Sequence, residues 1–172
     1  FMSATANIDE IRRFSLEHGD VLITKDSEMW NDIAVPALVD KELDGVLCGY
    51  HLALVRPYTK LVLGEYLFRA FSSHAIRDQF RVRANGITRF GLSIDAITSA
   101  LFPLPPLEEQ RSIAVFLRRE TSRINALIAG IREDVNGPGL FARLVKALIE
   151  YRLALISAAV TGKIDVRKEV SA

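Results

Sequence analysis

Cysteine is nearly missing from this chain of 172 residues: Cys48 stands alone. One thiol excludes an internal disulfide and cannot by itself build a zinc site, a usage that fits a reducing compartment. Within its apolar run, Cys48 reads as a small core residue. Long hydrophobic stretches are lacking too. No apolar run approaches the roughly 18 residues that cross a bilayer, and no basic-then-apolar leader opens the chain. The expectation is a cytoplasmic protein that does not enter a membrane.

Catalytic groupings are as scarce as thiols. His18, His51 and His74 are far apart and form no metal-ligand pair at helical i, i+4 spacing. Thr161-Gly162-Lys163 matches only the tail of a phosphate-binding loop, because the first glycine of G-x-x-x-x-G-K-[ST] is absent. Pro103-Leu104-Pro105-Pro106 is proline-rich like the catalytic tetrapeptide of adenine methyltransferases, yet no Asn or Asp precedes the Pro-Pro pair. No glycine-rich dinucleotide loop is present. These absences predict a chain that catalyses nothing itself and needs neither cofactor nor metal.

What the sequence has is hydrophobic residues, 49% of the total and ample for a core, together with an uneven distribution of charge. The net charge of +1 conceals two blocks of opposite sign. Residues 1–59 hold five Lys/Arg against ten Asp/Glu, whereas residues 60–89 hold six (Lys60, Arg69, Arg77, Arg81, Arg83 and Arg89) against Glu65 and Asp78. Phosphate contacts act within a Debye length of about 10 Å, so local sign outweighs the total, and the second block is a candidate phosphate-facing surface.

Read in order, Ile8, Ile11 and Phe14 have helical spacing and predict a short helix ending near Gly19. The β-branched run Val21 to Thr24 predicts a strand, with Lys25 to Glu28 as the polar loop beyond it. Pro36 demotes Ile33 to Val39 to an edge strand or a strand with a bulge, and Val46 to Val55 predicts a largely buried strand pair broken near Gly49. Leu63, Tyr66, Leu67, Ala70 and Phe71 form an amphipathic stripe, and a second helical piece, Ala75 to Val82, puts Arg77 and Arg81 on one face. Asn85 to Gly91 is a glycine-bounded loop, after which Ser93 caps a short helix. Its Asn85, Thr88 and Arg89 have the chemistry to meet an adenine, a phosphate or thymine methyl, and a guanine. Thr24 and Lys25 are further phosphate candidates.

The pattern changes at Phe102 to Arg111. Three prolines hold the chain extended, Pro106 suits a helix start, and Glu108 and Glu109 complement the dipole of the first turn. From there Ile113, Leu117, Ile124, Leu127 and Ile131 recur as a helix-packing seam, and Phe141, Leu144, Leu148 and Leu155 form a second. Asn136-Gly137-Pro138-Gly139 lies between the two and predicts a break, giving helices over about Leu107 to Val135 and Leu140 to Val160. The seams are also out of phase, since steps of seven from Leu117, Ile124 and Ile131 reach Pro138, Val145 and Arg152. The fold class expected is α+β: a small mixed globular domain over residues 1–103, followed by long helices of coiled-coil type over residues 104–172.

Pro103-Leu104-Pro105-Pro106-Leu107-Glu108-Glu109-Gln110-Arg111-Ser112-Ile113-Ala114 resembles the motif leading from the target recognition domain into the conserved helix of specificity subunits of type I restriction-modification systems. Glu150 to Arg167 resembles that family's closing motif. Gly19 to Lys25, Gly86-Ile87-Thr88 and Leu92-Ser93 extend the similarity through the first half. The resemblance implies a non-catalytic subunit that reads double-stranded DNA. It further implies that the loop at Asn85 to Gly91 faces the DNA, and that the methyltransferase and restriction subunits are directed to a bipartite site. Lys60, Arg77, Arg81 and Arg83 then become phosphate contacts. Family members usually carry two recognition domains and two long helices, but one of each is present here, and the Trp-centred opening segment has no counterpart. A half-length subunit that dimerises through its helices, the C-terminal part of a longer chain, and the recognition end of a fused restriction-methylation enzyme all remain open at this point.

Overall fold

A computed structural model describes residue 3, residues 5–133 and residues 140–167. The architecture is α+β, with a small sheet region and two long C-terminal helices. Strand β1 (Val21–Thr24) is central in an antiparallel sheet, flanked by β3 (Pro36–Leu38) and β4 (Leu52–Val55). Val21 and Ile23 are fully buried while Leu22 and Thr24 are half-buried, the alternation expected of a strand with one core face. Pro36 opens the edge strand opposite Ile23, a place where a missing N–H breaks no central ladder. The strand pair expected over Val46 to Val55 is only half formed. Its second half is β4, whereas Leu47 makes a single bridge to Ser15, because a turn closed by Leu52 N–H on the Gly49 carbonyl intervenes. Helix α1 (Ile8–Phe14) is closed by a capping box between Asn7 and Glu10, but its Ile8, Ile11 and Phe14 stripe is exposed rather than packed on the core.

Helices α2 (Gly64–Ser72) and α3 (His74–Arg81) follow, and α2 packs against β1 and β3. Tyr66, Leu67, Ala70 and Phe71 form its buried face, as their spacing predicts. Arg69 is on the other side, where its Nη1 donates to Thr121 Oγ1 at 3.3 Å across to the first long helix. Burial holds its guanidinium below the ordinary arginine value, against the pull of Glu65. Two very short strands, β2 (Asp26–Ser27) and β5 (Phe90–Gly91), pair antiparallel beside the main sheet. Ser93 then caps α4 (Ile94–Thr98), accepting from Ala96 N–H at 3.1 Å.

The proline segment is clamped rather than merely extended. Tyr66 donates to the Pro103 carbonyl at 2.7 Å, and burial, helped by Glu109, pushes its phenol up to about 12, so the proton it donates is held across the neutral range. Gln110, fully buried, accepts from Leu63 N–H at 2.9 Å and donates to the Leu61 and Pro105 carbonyls at 2.8 Å each. Helix α5 (Leu107–Glu133) starts there, with Pro106 supplying the carbonyl for Gln110 N–H. Ile113, Phe116 and Leu117 of α5 enter the same core cluster as Val21, Tyr66 and Phe80, and so do Ile156, Ala159 and Val160 of α6 (Leu140–Val160). The start of one long helix therefore meets the end of the other, and Arg152 Nη1 reaches Asn125 Oδ1 at 2.6 Å along the pair, which fixes an antiparallel arrangement. The break expected at Asn136 to Gly139 lies outside the described residues.

The seams are only partly internal to this chain. Ile113, Leu117 and Ile124 are buried and Ile131, Leu148 and Leu155 half-buried, but Leu127 is 57% exposed, Phe141 43% and Leu144 45%. On α6 the buried face is Ile156, Ala159 and Val160, because the end of that helix also meets α2 and α3. A stripe read for one partner helix misses the rotation that a second layer imposes.

Candidate nucleic-acid interface

Residues 85–91 form a closed loop. Asn85 and Gly91 exchange backbone hydrogen bonds at 3.1 and 2.9 Å, and between them Gly86 has φ +144°, where an added Cβ would overlap the Arg89 carbonyl. Pairing of Asp26 with Gly91 and of Ser27 with Phe90, plus a bond from Leu92 N–H to the Lys25 carbonyl at 2.9 Å, anchors this loop to the end of β1. Residues 63 to 67 positions apart in sequence are thereby brought side by side.

The juxtaposition produces a charged cluster. Arg89 donates to a single oxygen, Asp26 Oδ1, through Nε at 2.9 Å and Nη2 at 2.7 Å. His51 Nδ1 contacts that oxygen and also lies 2.7 Å from Arg89 Nη2. Tyr50 tilts over the His51 ring with centroids 3.6 Å apart, while its own ring is 75% exposed. Burial alone would raise the Asp26 carboxyl, but the bonds from His51 and Arg89 outweigh it and hold the group below the ordinary carboxylate value. The bonds that Arg89 donates to Asp26 in turn raise its guanidinium. Asp26, Tyr50, Asn85, Arg89, Phe90 and Gly91 line a shallow, open depression, with Thr88 exposed beside it in the loop. Charged, hydrogen-bonding and aromatic groups thus share one solvent-facing surface.

The remaining candidates are spread around this loop and away from it. Thr24 Oγ1 turns to the Val35 carbonyl at 3.4 Å, and Lys25 is half-buried beside Asp26, its N–H bonded to the His51 carbonyl. Arg77 and Arg81 both donate to the Asn31 carbonyl, at 3.2 and 3.4 Å, and Arg81 also lies over the Trp30 ring. Their guanidinium groups are engaged in fastening the chain's own turn at Trp30–Asp32 to α3. Arg83 is exposed and bonds Ser99. Lys60 is exposed in the turn at Tyr58 to Leu61, and no contact joins it to the loop cluster.

Asp26, Tyr50 and His51 escaped the sequence reading. Asp26 sits in a stretch that reads as a polar loop and His51 as an isolated histidine; only the β2–β5 pairing, which two-residue strands do not announce, brings them to Arg89. Among the described residues no group of three or more His, Cys, Asp or Glu side chains is placed to hold a metal, and no helix is long and apolar enough to cross a membrane.

Comparison with known proteins adds two findings. The sequence model described as "Type I restriction modification DNA specificity domain" matches residues 4–136. The fold is similar to the crystal structure of the HsdS subunit from Thermoanaerobacter tengcongensis, with a TM-score of 0.57 and 26% identity over 69% of this chain. That match spans 30% of the other chain's length. No curated protein is matched.

Proposed function

Because the chain belongs to the family of type I restriction modification DNA specificity domains, we propose that it is a non-catalytic, sequence-specific DNA-recognition subunit. In this reading it directs the methyltransferase and restriction subunits of a type I restriction-modification complex to one part of a bipartite site. The observation that carries the reading furthest is the closed loop 85–91, which presents Arg89, Asn85 and Thr88 on a solvent-facing rim. Hydrogen-bonding groups on such a rim suit the reading of base edges, whereas Lys60, Lys25 and Arg83 contribute charge toward phosphates. The globular part over residues 1–103 is the recognition unit. Residues 104–172 form the helical part, whose exposed Leu127, Phe141 and Leu144 offer apolar contacts to the methyltransferase subunits or to a second copy of the chain.

Selection of bound duplexes from a random pool, with the chain assembled in its complex, tests this. The wild-type assembly should enrich one sequence, and Arg89→Ala should relax that consensus at one position by about 1 to 3 kcal/mol while Lys60→Ala weakens all sequences alike. An Arg89→Ala consensus identical to the wild type removes the loop from the recognition surface.

A further inference from the structure

Arg89 is the cation of the loop, yet the structure gives it a carboxylate of its own. Its Nε and Nη2 both close on Asp26 Oδ1, at 2.9 and 2.7 Å, and His51 Nδ1 lies 2.7 Å from Nη2. Asp26 is itself held in a strand pair, and its side chain is only 18% exposed, so the acid is the fixed partner and the arginine the one it orients. Two consequences follow. As a pair, Arg89 and Asp26 carry no net charge and have little to offer a phosphate, whose attraction for a protein is chiefly the release of counterions by unpaired cations. A carboxylate at the same guanidinium also repels an approaching phosphate oxygen. What the pair retains is direction. With the Nε–Nη2 edge taken, three N–H donors are left, two on Nη1 and the second on Nη2, so the Nη1–Nη2 end keeps its fork, and no hydrogen bond from Nη1 is present among the described residues.

We propose that Asp26, backed by His51, is a positioning residue that converts Arg89 from a phosphate anchor into a reader of guanine. Guanine is the base whose major-groove edge offers two adjacent acceptors, O6 and N7, to a pair of donors; adenine sets a donor beside its acceptor, cytosine presents a donor, and thymine has one acceptor. The proposal rests on the DNA-recognition reading above and adds to it the base class and the residue that enforces it.

The test pairs sequence selection with the salt dependence of binding to a non-cognate duplex, both on the assembled complex. Asp26→Asn removes the negative charge with little change of shape, leaving Arg89 without a countercharge and with at most a weaker, neutral acceptor to orient it. Its non-cognate affinity should rise, and the slope of log affinity against log salt should steepen by about 0.9, the contribution of one added phosphate contact. Preference for guanine at one position should fall by about 5- to 150-fold. A role confined to holding the fold would instead lower cognate and non-cognate affinity together and leave the slope unchanged, which overturns the proposal. A wild-type assembly that selects no sequence overturns this proposal and the recognition reading together. A wild-type guanine preference that survives Asp26→Asn at full strength, or a wild-type consensus without guanine, overturns this proposal alone.

Discussion

Asp26 shows how one side chain couples the loop to the stability of the fold. Its carboxyl binds a proton less readily when folded than its ordinary value of 3.8 implies, since the bonds from His51 and Arg89 favour the charged form over the cost of burial. A depressed carboxyl stabilises the fold above the unfolded value, and that contribution is lost as pH falls through the lower, folded one. Denaturation midpoints of wild type and Asp26→Asn should therefore be separated at pH 6 and converge as the pH is lowered below about 4. Parallel curves across that range would show that the pairing contributes nothing in solution. None of this was legible from sequence. Arg89 stood out because glycines bound its loop, whereas nothing around Asp26 or His51 marks them as its partners, and two-residue strands carry no periodicity to read.

At the scale of elements, the helices that bury a complete stripe were the ones the sequence placed well. Tyr66, Leu67, Ala70 and Phe71 on α2, the Ser93 cap of α4 and the proline-led start of α5 all follow from local chemistry that the tertiary structure leaves in place. The face of α6 was misjudged because two layers share it, and the strand expected before Gly49 is reduced to a single bridge at Leu47. Gln110 was legible only as part of a motif; its physical role is to join that motif to the rest of the core. Through three hydrogen bonds it ties the start of α5 to the approach to α2, so that the long helices and the small sheet region share one core. Gln110→Ala leaves Leu63 N–H and two carbonyls without partners and should cost about 3 kcal/mol in a urea denaturation experiment. A loss under about 0.5 kcal/mol would mean that water replaces the glutamine without penalty, and that the bolt is not what sets the direction of α5.

Over the whole molecule, the charged loop cluster and the exposed apolar residues of the long helices lie on different parts. The Asp26, His51 and Arg89 cluster lies at the sheet end, together with the exposed loop 85–91, while exposed Leu127, Phe141, Leu144 and Tyr151 lie along the long helices. The net charge of +1 hides this division, and the basic block of residues 60–89 located it only in part: Arg69, Arg77 and Arg81 are turned to the protein itself, leaving Lys60, Arg83 and Arg89 at the surface. In the proposed reading, a surface whose basic block leaves so few cations unpaired reads better than it grips. Amide hydrogen exchange of the assembled complex, with and without a selected duplex, tests this division most directly. Slower exchange on adding DNA is expected in residues 85–91 and in the segments around Asp26 and His51, with the long helices unchanged. Protection confined to α5 and α6, with none in residues 85–91, would contradict the account.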